Sequence, residues 1–430
     1  MLRYIKRTSI SYYMMLIVIL TLSQIVCICQ QKNAAIRCPI DADIWVLAGQ
    51  SNMEGNGRTP DTTTNPNILM LNMDNHWMIA QNPLHRFYEA AAFAYEKDYF
   101  ELFIPHLKDS LKAWEKWQLQ YKKLREMSKN EPIGGVGPGI YFAKHIFDKT
   151  GRPVALLPCA LGGSTIEQWD PSGKSLGDSS LYGATINKIN LVGRNIKGIL
   201  WWQGESEALA FKTETYEDRF LNLIDSFRKD IGNPELPIIY VQIGKFNIRD
   251  SVMDREWEKI REIQRDILIK RNNVFMVTGI DLPLDDCIHS STEGQKKVGR
   301  RIAEMALTYV YKLPGHARQI NLESMKLCQD KESGSYYIKV NYSGVCGNLK
   351  SCGLPGQYSL RLNGKENIMY VVTKVQLNPE DNDAMDVYLS GLPDTPAQLV
   401  SGAGTYPYMN ITDSLDNALP AFGPINIPLK

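Results

Sequence analysis

The chain has 430 residues, 44% of them hydrophobic and 22% charged, which suffices for one large core with a smaller second domain. Its formal net charge is +1. No basic surplus points to nucleic acid, and no acidic tail points to a charged partner.

At the N-terminus, Arg3, Lys6 and Arg7 precede an apolar run from about Tyr12 to Leu20, broken by Thr21, Ser23 and Gln24. A basic stretch before a short apolar one reads as a secretory signal peptide, residues 1–29, with a signal anchor as the alternative. The mature protein is then expected to be exported (periplasmic, cell-surface or secreted) with no stable membrane span. Cys27 and Cys29 lie where cleavage would fall. Lipidation there stays open, because "QIVC" lacks the small residue expected before a lipidated cysteine.

From Asp43 onward, strand-like runs alternate with amphipathic segments. "DIWVLAG" reads as the first strand, and it ends abruptly at Gly49-Gln50-Ser51-Asn52-Met53. Either this is an ordinary turn, or Ser51 is a nucleophile held at a strand tip. Glu89 to Asn130 is a helix-prone insertion. Within it Leu107, Leu111, Trp114, Tyr121 and Leu124 form an apolar stripe, with Lys108, Lys112, Lys122 and Lys123 between them. Such a stripe is usually core. The alternative is a wall that offers Trp114, Trp117 or Tyr121 to a sugar.

"RPVALLPCAL" is the second strand, and a helix follows near Leu181 to Arg194. "IKGILWWQG" is the third strand. "TYEDRFLNLIDSFRKDIG" is a helix with Tyr216, Phe220, Leu221, Ile224 and Phe227 on one face and Gly232 as its stop. "LPIIYVQIG" and "NVFMVTGID" are the fourth and fifth strands, with a helix from Asp254 to Lys270 between them. Thr292 to Tyr311 closes the series. Continuous apolar runs separated by helices fit a three-layer α/β/α sandwich of about five parallel strands, residues 38–318. Beyond residue 319, short strands separated by turn residues mark a C-terminal β-rich domain or extension, 319–430.

In such sheets ligands sit beyond the carboxyl ends of the strands. Ser51, Gly162-Gly163, Gln203 and the loop Asp281 to His289 all follow strand ends. Of six histidines, only His289 has an acidic residue three positions before it, Asp286. Asp286 would fix the imidazole tautomer while His289 takes the Ser51 proton; otherwise the pair is a solvated Asp and a capping His. Gly162 and Gly163 could bring a backbone N–H close to substrate, or simply make a tight turn. Gln203 could donate a side-chain amide, or satisfy loop backbone. Trp169 is the preferred ring for sugar stacking; Trp202 fills space as readily.

Six cysteines follow the signal: Cys38, Cys159, Cys287, Cys328, Cys346 and Cys352. In an exported protein some should pair, with Cys346 and Cys352 the best local candidates. The absence of C-x-x-C and H-E-x-x-H patterns disfavours a metal, and no cofactor is expected.

Together these blocks resemble SGNH-type hydrolases, in the branch of carbohydrate esterase family six and the sialate O-acetylesterases. "GQSNMEG" is similar to their serine block, "LLPCALGGSTIEQW" to the glycine block, "WWQGESE" to the third and "DDCIHSSTEGQKKVGRRIA" to the Asp-x-x-His block. "AQNPLH", "GVGPGIYFAKHI" and the C-terminal "SGAGTYPYMNITDSLDNALPAFGPI" also match. The resemblance implies Ser51 as nucleophile, His289 as base and Asp286 as its partner. It implies an oxyanion hole from Ser51, Gly162 or Gly163, and Gln203, which stands where many SGNH hydrolases carry Asn. Gln50, Trp169 and Glu205 are expected on the substrate side, with Glu205 either a structural acid or a substrate-side one and a rival for orienting His289. The implied activity is removal of O-acetyl groups from sialic acid, or alternatively from xylan or another glycan. A reading of another class is a non-catalytic carbohydrate-binding protein on a hydrolase fold; the competent residues at every catalytic position argue against it. Oligomeric state is left open.

Overall fold

The computed structural model describes residues 37–103, 111–128, 130–131, 133–193, 196–248, 250–362, 365–366, 371–393 and 396–428. The N-terminal residues expected to form a signal peptide, with Cys27 and Cys29, and Leu107 and Lys108 of the insertion, lie outside them. Pro39–Lys430 form one compact unit. Among the described residues no helix is long and apolar enough to cross a membrane.

In chain order the first part contains β1 (Asp43–Gly49), α1 (Ser51–Glu54), β2 (Ile68–Leu71), β3 (Trp77–Ile79), α2 (Ala94–Phe103), α3 (Leu111–Ser128), α4 (Gly139–Thr150) and β4 (Val154–Pro158). It continues with α5 (Leu181–Val192), β5 (Ile196–Trp202), α6 (Glu205–Leu209), α7 (Tyr216–Ile231), β6 (Ile238–Gln242), α8 (Ser251–Ile267), β7 (Val274–Thr278) and α9 (Thr292–Tyr309). The strands form one seven-stranded sheet in the order β3-β2-β4-β1-β5-β6-β7. All neighbours are parallel except the edge strand β3. The five strands expected from the sequence are present. The sheet gains β2 and β3, short segments between Asn, Asp and Pro residues whose turn character masks them.

β1, β4 and β6 are buried along their whole lengths because helices cover both faces of the sheet. Side chains alternate between the faces. Trp45 meets Phe142 of α4 edge-on at 4.9 Å. It shares a core with Leu47, Leu156, Trp202 and the α9 residues Val298 and Ile302. On the opposite face Trp201 stacks on Phe220 of α7 at 5.5 Å, and Phe220 meets Tyr240 of β6. In α7 it is Leu223, not Leu221, that joins Tyr216, Phe220, Ile224 and Phe227 in the core.

The insertion is held by its aromatics. Trp114 meets Phe100 edge-on at 4.9 Å, and Trp117 lies 5.7 Å from Tyr121. The Tyr121 hydroxyl donates to the Phe87 carbonyl at 2.7 Å. Trp117 and Tyr121 are therefore buried packing residues, unavailable to a sugar. Lys112, Lys122 and Lys123 are exposed as the stripe requires.

The remaining strands are β8 (Asn321–Gln329), β9 (Tyr336–Ser343), β10 (Lys350–Ser351), β11 (Tyr358–Leu362), β12 (Lys365–Glu366), β13 (Val372–Leu377), β14 (Ala384–Leu389), β15 (Ala397–Ser401), β16 (Ile411–Thr412) and β17 (Phe422–Asn426). They make two four-stranded antiparallel sheets, β13-β14-β9-β8 and β12-β11-β15-β17, and the pair β10-β16. Ile338, Val340, Leu360, Val387 and Leu399 share their core. Buried polar contacts join this part to the first. The Gln242 side chain exchanges two hydrogen bonds with the Ala421 backbone, at 2.9 and 3.0 Å. The Arg361 guanidinium takes both Glu258 carboxylate oxygens at 2.7 and 2.9 Å.

The expected Cys346–Cys352 disulfide is not formed; both thiols are free. The loop between them is drawn onto β16 through β10 instead. Cys346 is tied by its amide to Asp413 and Cys352 to the Asn410 carbonyl.

Candidate active site

β1 stops where it does because of its last residue. Gly49 has φ +125°, and a Cβ there would run into the Trp202 carbonyl of β5. The chain then turns at Gln50, whose amide donates to that same carbonyl at 2.8 Å. Ser51 opens α1 at the carboxyl edge of the sheet. Its carbonyl accepts from the Gly55 amide at 2.9 Å and the Asn56 side chain at 2.8 Å, which fixes its backbone. Ser51 is half-buried.

The loop after β7 delivers the other two residues. His289 Nδ1 lies 2.7 Å from Asp286 Oδ2, while Asp286 Oδ1 accepts the Ile288 and His289 amides at 2.9 and 2.7 Å. Partial burial works against the Asp286 charge. Those two amides and the imidazole outweigh it and hold the carboxyl down at about 2. Arg58 also approaches Asp286, at 3.4 Å, but it is largely exposed and contributes little.

Asn52 joins the two ends of the site. Its Nδ2 donates to the Ile288 carbonyl at 3.4 Å, and its Oδ1 accepts the Ser290 amide at 3.0 Å. The residues on either side of His289 thus hang on the residue after Ser51. Gly162 completes the neighbourhood: a Cβ built on it would lie 3.5 Å from the Ser51 Cβ. Ser51, Asp286, His289, Gly162 and Gly163 therefore come together at one sheet edge.

Several other expectations need correction. The Gly162 N–H donates to Glu54 Oε2 at 2.5 Å and is not available to substrate. Gln203 is fully buried. Its amide donates to the Glu207 carboxylate and to the Ser164 carbonyl, so both N–H bonds are committed away from Ser51. Trp169 is fully buried as well. It lies edge-on to Trp201 at 5.3 Å and donates to Ser164 Oγ at 3.0 Å, supporting the Gly162–Ser164 turn from below. Gln50, 3% exposed, accepts the Ser206 amide. Glu205, 1% exposed, accepts from Asn52 Nδ2 at 3.1 Å and is not bonded to the imidazole. Gln50 and Gln203 do follow strand ends directly, whereas Trp169 lies in the turn Ile166–Trp169 well beyond the end of β4. What the one-dimensional reading lacked is the direction of each side chain, which here is down into the sheet.

Asn52 and Glu54 are functional neighbours that the sequence reading passed over. The available signal was helical spacing: Glu54 stands three residues after Ser51, on the same side of the α1 turn. Burial pushes the Glu54 carboxyl up to about 7, although the Gly162 N–H works against the rise.

Burial likewise raises Glu205 from 4.5 to about 7, against its own amide and the Asn52 side chain. The folded state binds this proton more tightly than the unfolded chain. The stability it contributes is complete below about pH 4.5 and lost as pH rises to about 7. Glu205→Gln removes the titration. The variant should match wild type in denaturant unfolding at pH 4.5 and exceed it by about 1–3 kcal/mol at pH 8. Parallel pH profiles for the two proteins would show that Glu205 is charged throughout.

Comparison with known proteins identifies the family and the fold. A family model described as carbohydrate esterase, sialic acid-specific acetylesterase, matches residues 41–98 and 105–308. A probable carbohydrate esterase of Arabidopsis thaliana is 28% identical over 303 residues, 65% of this chain and 95% of that protein. Human sialate O-acetylesterase is 27% identical over 172 residues, 33% of this chain and only 32% of that protein. Among solved structures, a carbohydrate acetylesterase from Xanthomonas citri shares the fold, with a TM-score of 0.61 at 18% identity, over 88% of this chain and 80% of that one. The chain belongs to the carbohydrate esterase family of sialic acid-specific acetylesterases and is a carboxylic ester hydrolase.

Proposed function

We propose that the protein is an exported serine esterase of the SGNH type that removes O-acetyl groups from carbohydrate, O-acetylated sialic acid first and acetylated xylan or another glycan as the alternative. One observation carries this reading: the Asp286–His289 pair, bonded at 2.7 Å, is suspended by Asn52 beside Ser51. The Asp286 carboxylate accepts Nδ1–H, which leaves Nε2 with its lone pair as the base. Ser51 Oγ attacks the acetyl carbonyl carbon and its proton passes to His289 Nε2. The oxyanion faces the Ser51 and Gly163 amides; Gly163 has φ +74°, a conformation that suits a residue without Cβ. Collapse of the tetrahedral adduct breaks the bond to the sugar oxygen, and His289 returns the proton to that oxygen. Water, activated by the same imidazole, then releases acetate from Ser51.

The sialate preference is supported by the family model and the local match to human sialate O-acetylesterase. Export is supported by the basic-then-apolar N-terminus. The test is acetate release from O-acetylated sialic acid, acetylated xylo-oligosaccharides and p-nitrophenyl acetate. A pre-steady-state burst of p-nitrophenol equal to one per Ser51 is expected, followed by slower turnover. Purified folded protein that releases no acetate from any of the three would remove the esterase reading.

A further inference from the structure

The segment after β15 takes no part in the chemistry, yet it is pinned close to it. The Thr405 amide donates to Asp254 at 2.7 Å, its hydroxyl donates to the Ile248 carbonyl at 2.6 Å, and its carbonyl accepts the Phe246 amide at 2.8 Å. The buried Arg261 guanidinium donates to the Gly402 and Gly404 carbonyls at 3.1 and 2.6 Å. The loop after β6 that grips this segment also grips the catalytic loop. The Asn247 amide donates to the Cys287 carbonyl at 2.7 Å, between Asp286 and His289 in sequence.

A cleft of about 540 Å³ opens at this junction, lined by residues that include Asn247, Ile248, Asp250, Asp254, Thr405 and Tyr406. Tyr406 is 52% exposed and Ile248 is 43% exposed. Lys245 Nζ stands 5.2 Å from the Tyr406 ring centroid. An exposed aromatic on so firmly held a backbone is a platform whose ordering cost is already met before a ligand arrives. The amides of Met253 and Val252 hold the Asp250 carboxyl below its ordinary value, so it is ionised at neutral pH.

We propose that this cleft is a carbohydrate subsite, in which a neutral sugar residue beyond the acetylated unit lies against Tyr406 while Asp250, Asp254 and Asn247 take its hydroxyls. The C–H face of a sugar ring suits an aromatic plane, and carboxylates and amides are ready partners for hydroxyls. Asp250 and Asp254 on the wall outnumber the Lys245 ammonium beside the ring and so disfavour a second anionic sugar. The subsite rests on the esterase reading given above, and it makes the preferred substrate a glycan rather than a free monosaccharide.

The experiment compares chain lengths. Values of kcat/KM are measured on O-acetylated sialic acid against O-acetylated sialyllactose, and on acetylated xylose against acetylated xylotriose, with p-nitrophenyl acetate alongside. In wild type the longer member of the productive pair should be favoured roughly tenfold, mostly through KM. Tyr406→Ala should erase that advantage and Tyr406→Phe should keep it, since the ring rather than the hydroxyl does the stacking. A parallel measurement needs no turnover: deacetylated sialyllactose or xylotriose should perturb the NMR spectrum of the Ser51→Ala protein, and the perturbation should vanish when Tyr406→Ala is added. Acetylated sugars hydrolysed with no length advantage, or with one that Tyr406→Ala leaves intact, would overturn the subsite alone. Turnover of p-nitrophenyl acetate with no acetylated sugar accepted would overturn the carbohydrate reading beneath it.

Discussion

Ser51→Ala lowers kcat by roughly 10⁴–10⁶-fold on p-nitrophenyl acetate and on acetylated sugar alike, while the melting temperature stays near that of wild type. The expectation follows from what holds Ser51 in place. Its backbone is fixed by Gly55 and Asn56, and its position by Gly49 against Trp202. None of those contacts needs the hydroxyl, so its removal deletes the proposed nucleophile and leaves the scaffold. The same scaffold keeps the Ser51 amide at the head of α1, which accounts for the residual rate over water that oxyanion donors and binding sustain. A serine-directed phosphonate should label Ser51 and no other residue, read by mass spectrometry of the peptide containing "GQSNMEG". Label on another serine, or an alanine variant within tenfold of wild type, would take the nucleophile's role from Ser51.

Much of this arrangement was legible in one dimension because backbone and chemistry coincide there. A strand buried on both faces is an unbroken apolar run, and a glycine at its end announces a turn: "DIWVLAG" matches β1 residue for residue. Asp286 and His289 were legible because three residues in a tight loop leave little choice about who meets whom. Side-chain direction was not legible. Gln203 and Glu205 follow β5, but a strand end exposes one side chain and buries the next, and nothing in "WWQGES" says which; Trp169 lies further on, in the turn Ile166–Trp169 beyond β4, where no strand period applies. The buried carboxylates Glu205 and Glu207 beneath the site account for the inward turn of Gln203 and Asn52, the donors those carboxylates require. The edge strands β2 and β3 were lost for a different reason. Four and three residues among asparagines and prolines carry too little period to register.

Asp286→Asn lowers kcat by about 10⁴-fold, far more than Glu205→Gln does. The reason lies in the wiring of Asp286. One oxygen accepts two backbone amides, and the other accepts the imidazole. An asparagine has only one acceptor oxygen, and the loop claims it for the Ile288 and His289 amides. Its NH₂ then faces His289 Nδ1 and forces that nitrogen to accept. The ring's proton moves to Nε2, and the base that should receive the Ser51 proton is already protonated. The fold should survive, because the loop's own hydrogen bonds are kept. Glu205 acts on His289 only through Asn52, and a glutamine there still offers an oxygen to the Asn52 amide. Glu205→Gln is therefore expected to cost less than about tenfold in kcat/KM. Steady-state kinetics of both variants, with ¹⁵N NMR of the imidazole to report which nitrogen carries the proton, decides the matter. A larger loss for Glu205→Gln than for Asp286→Asn would move the orienting role to the buried carboxylate. An unchanged tautomer in Asp286→Asn would leave the kinetic loss needing another cause.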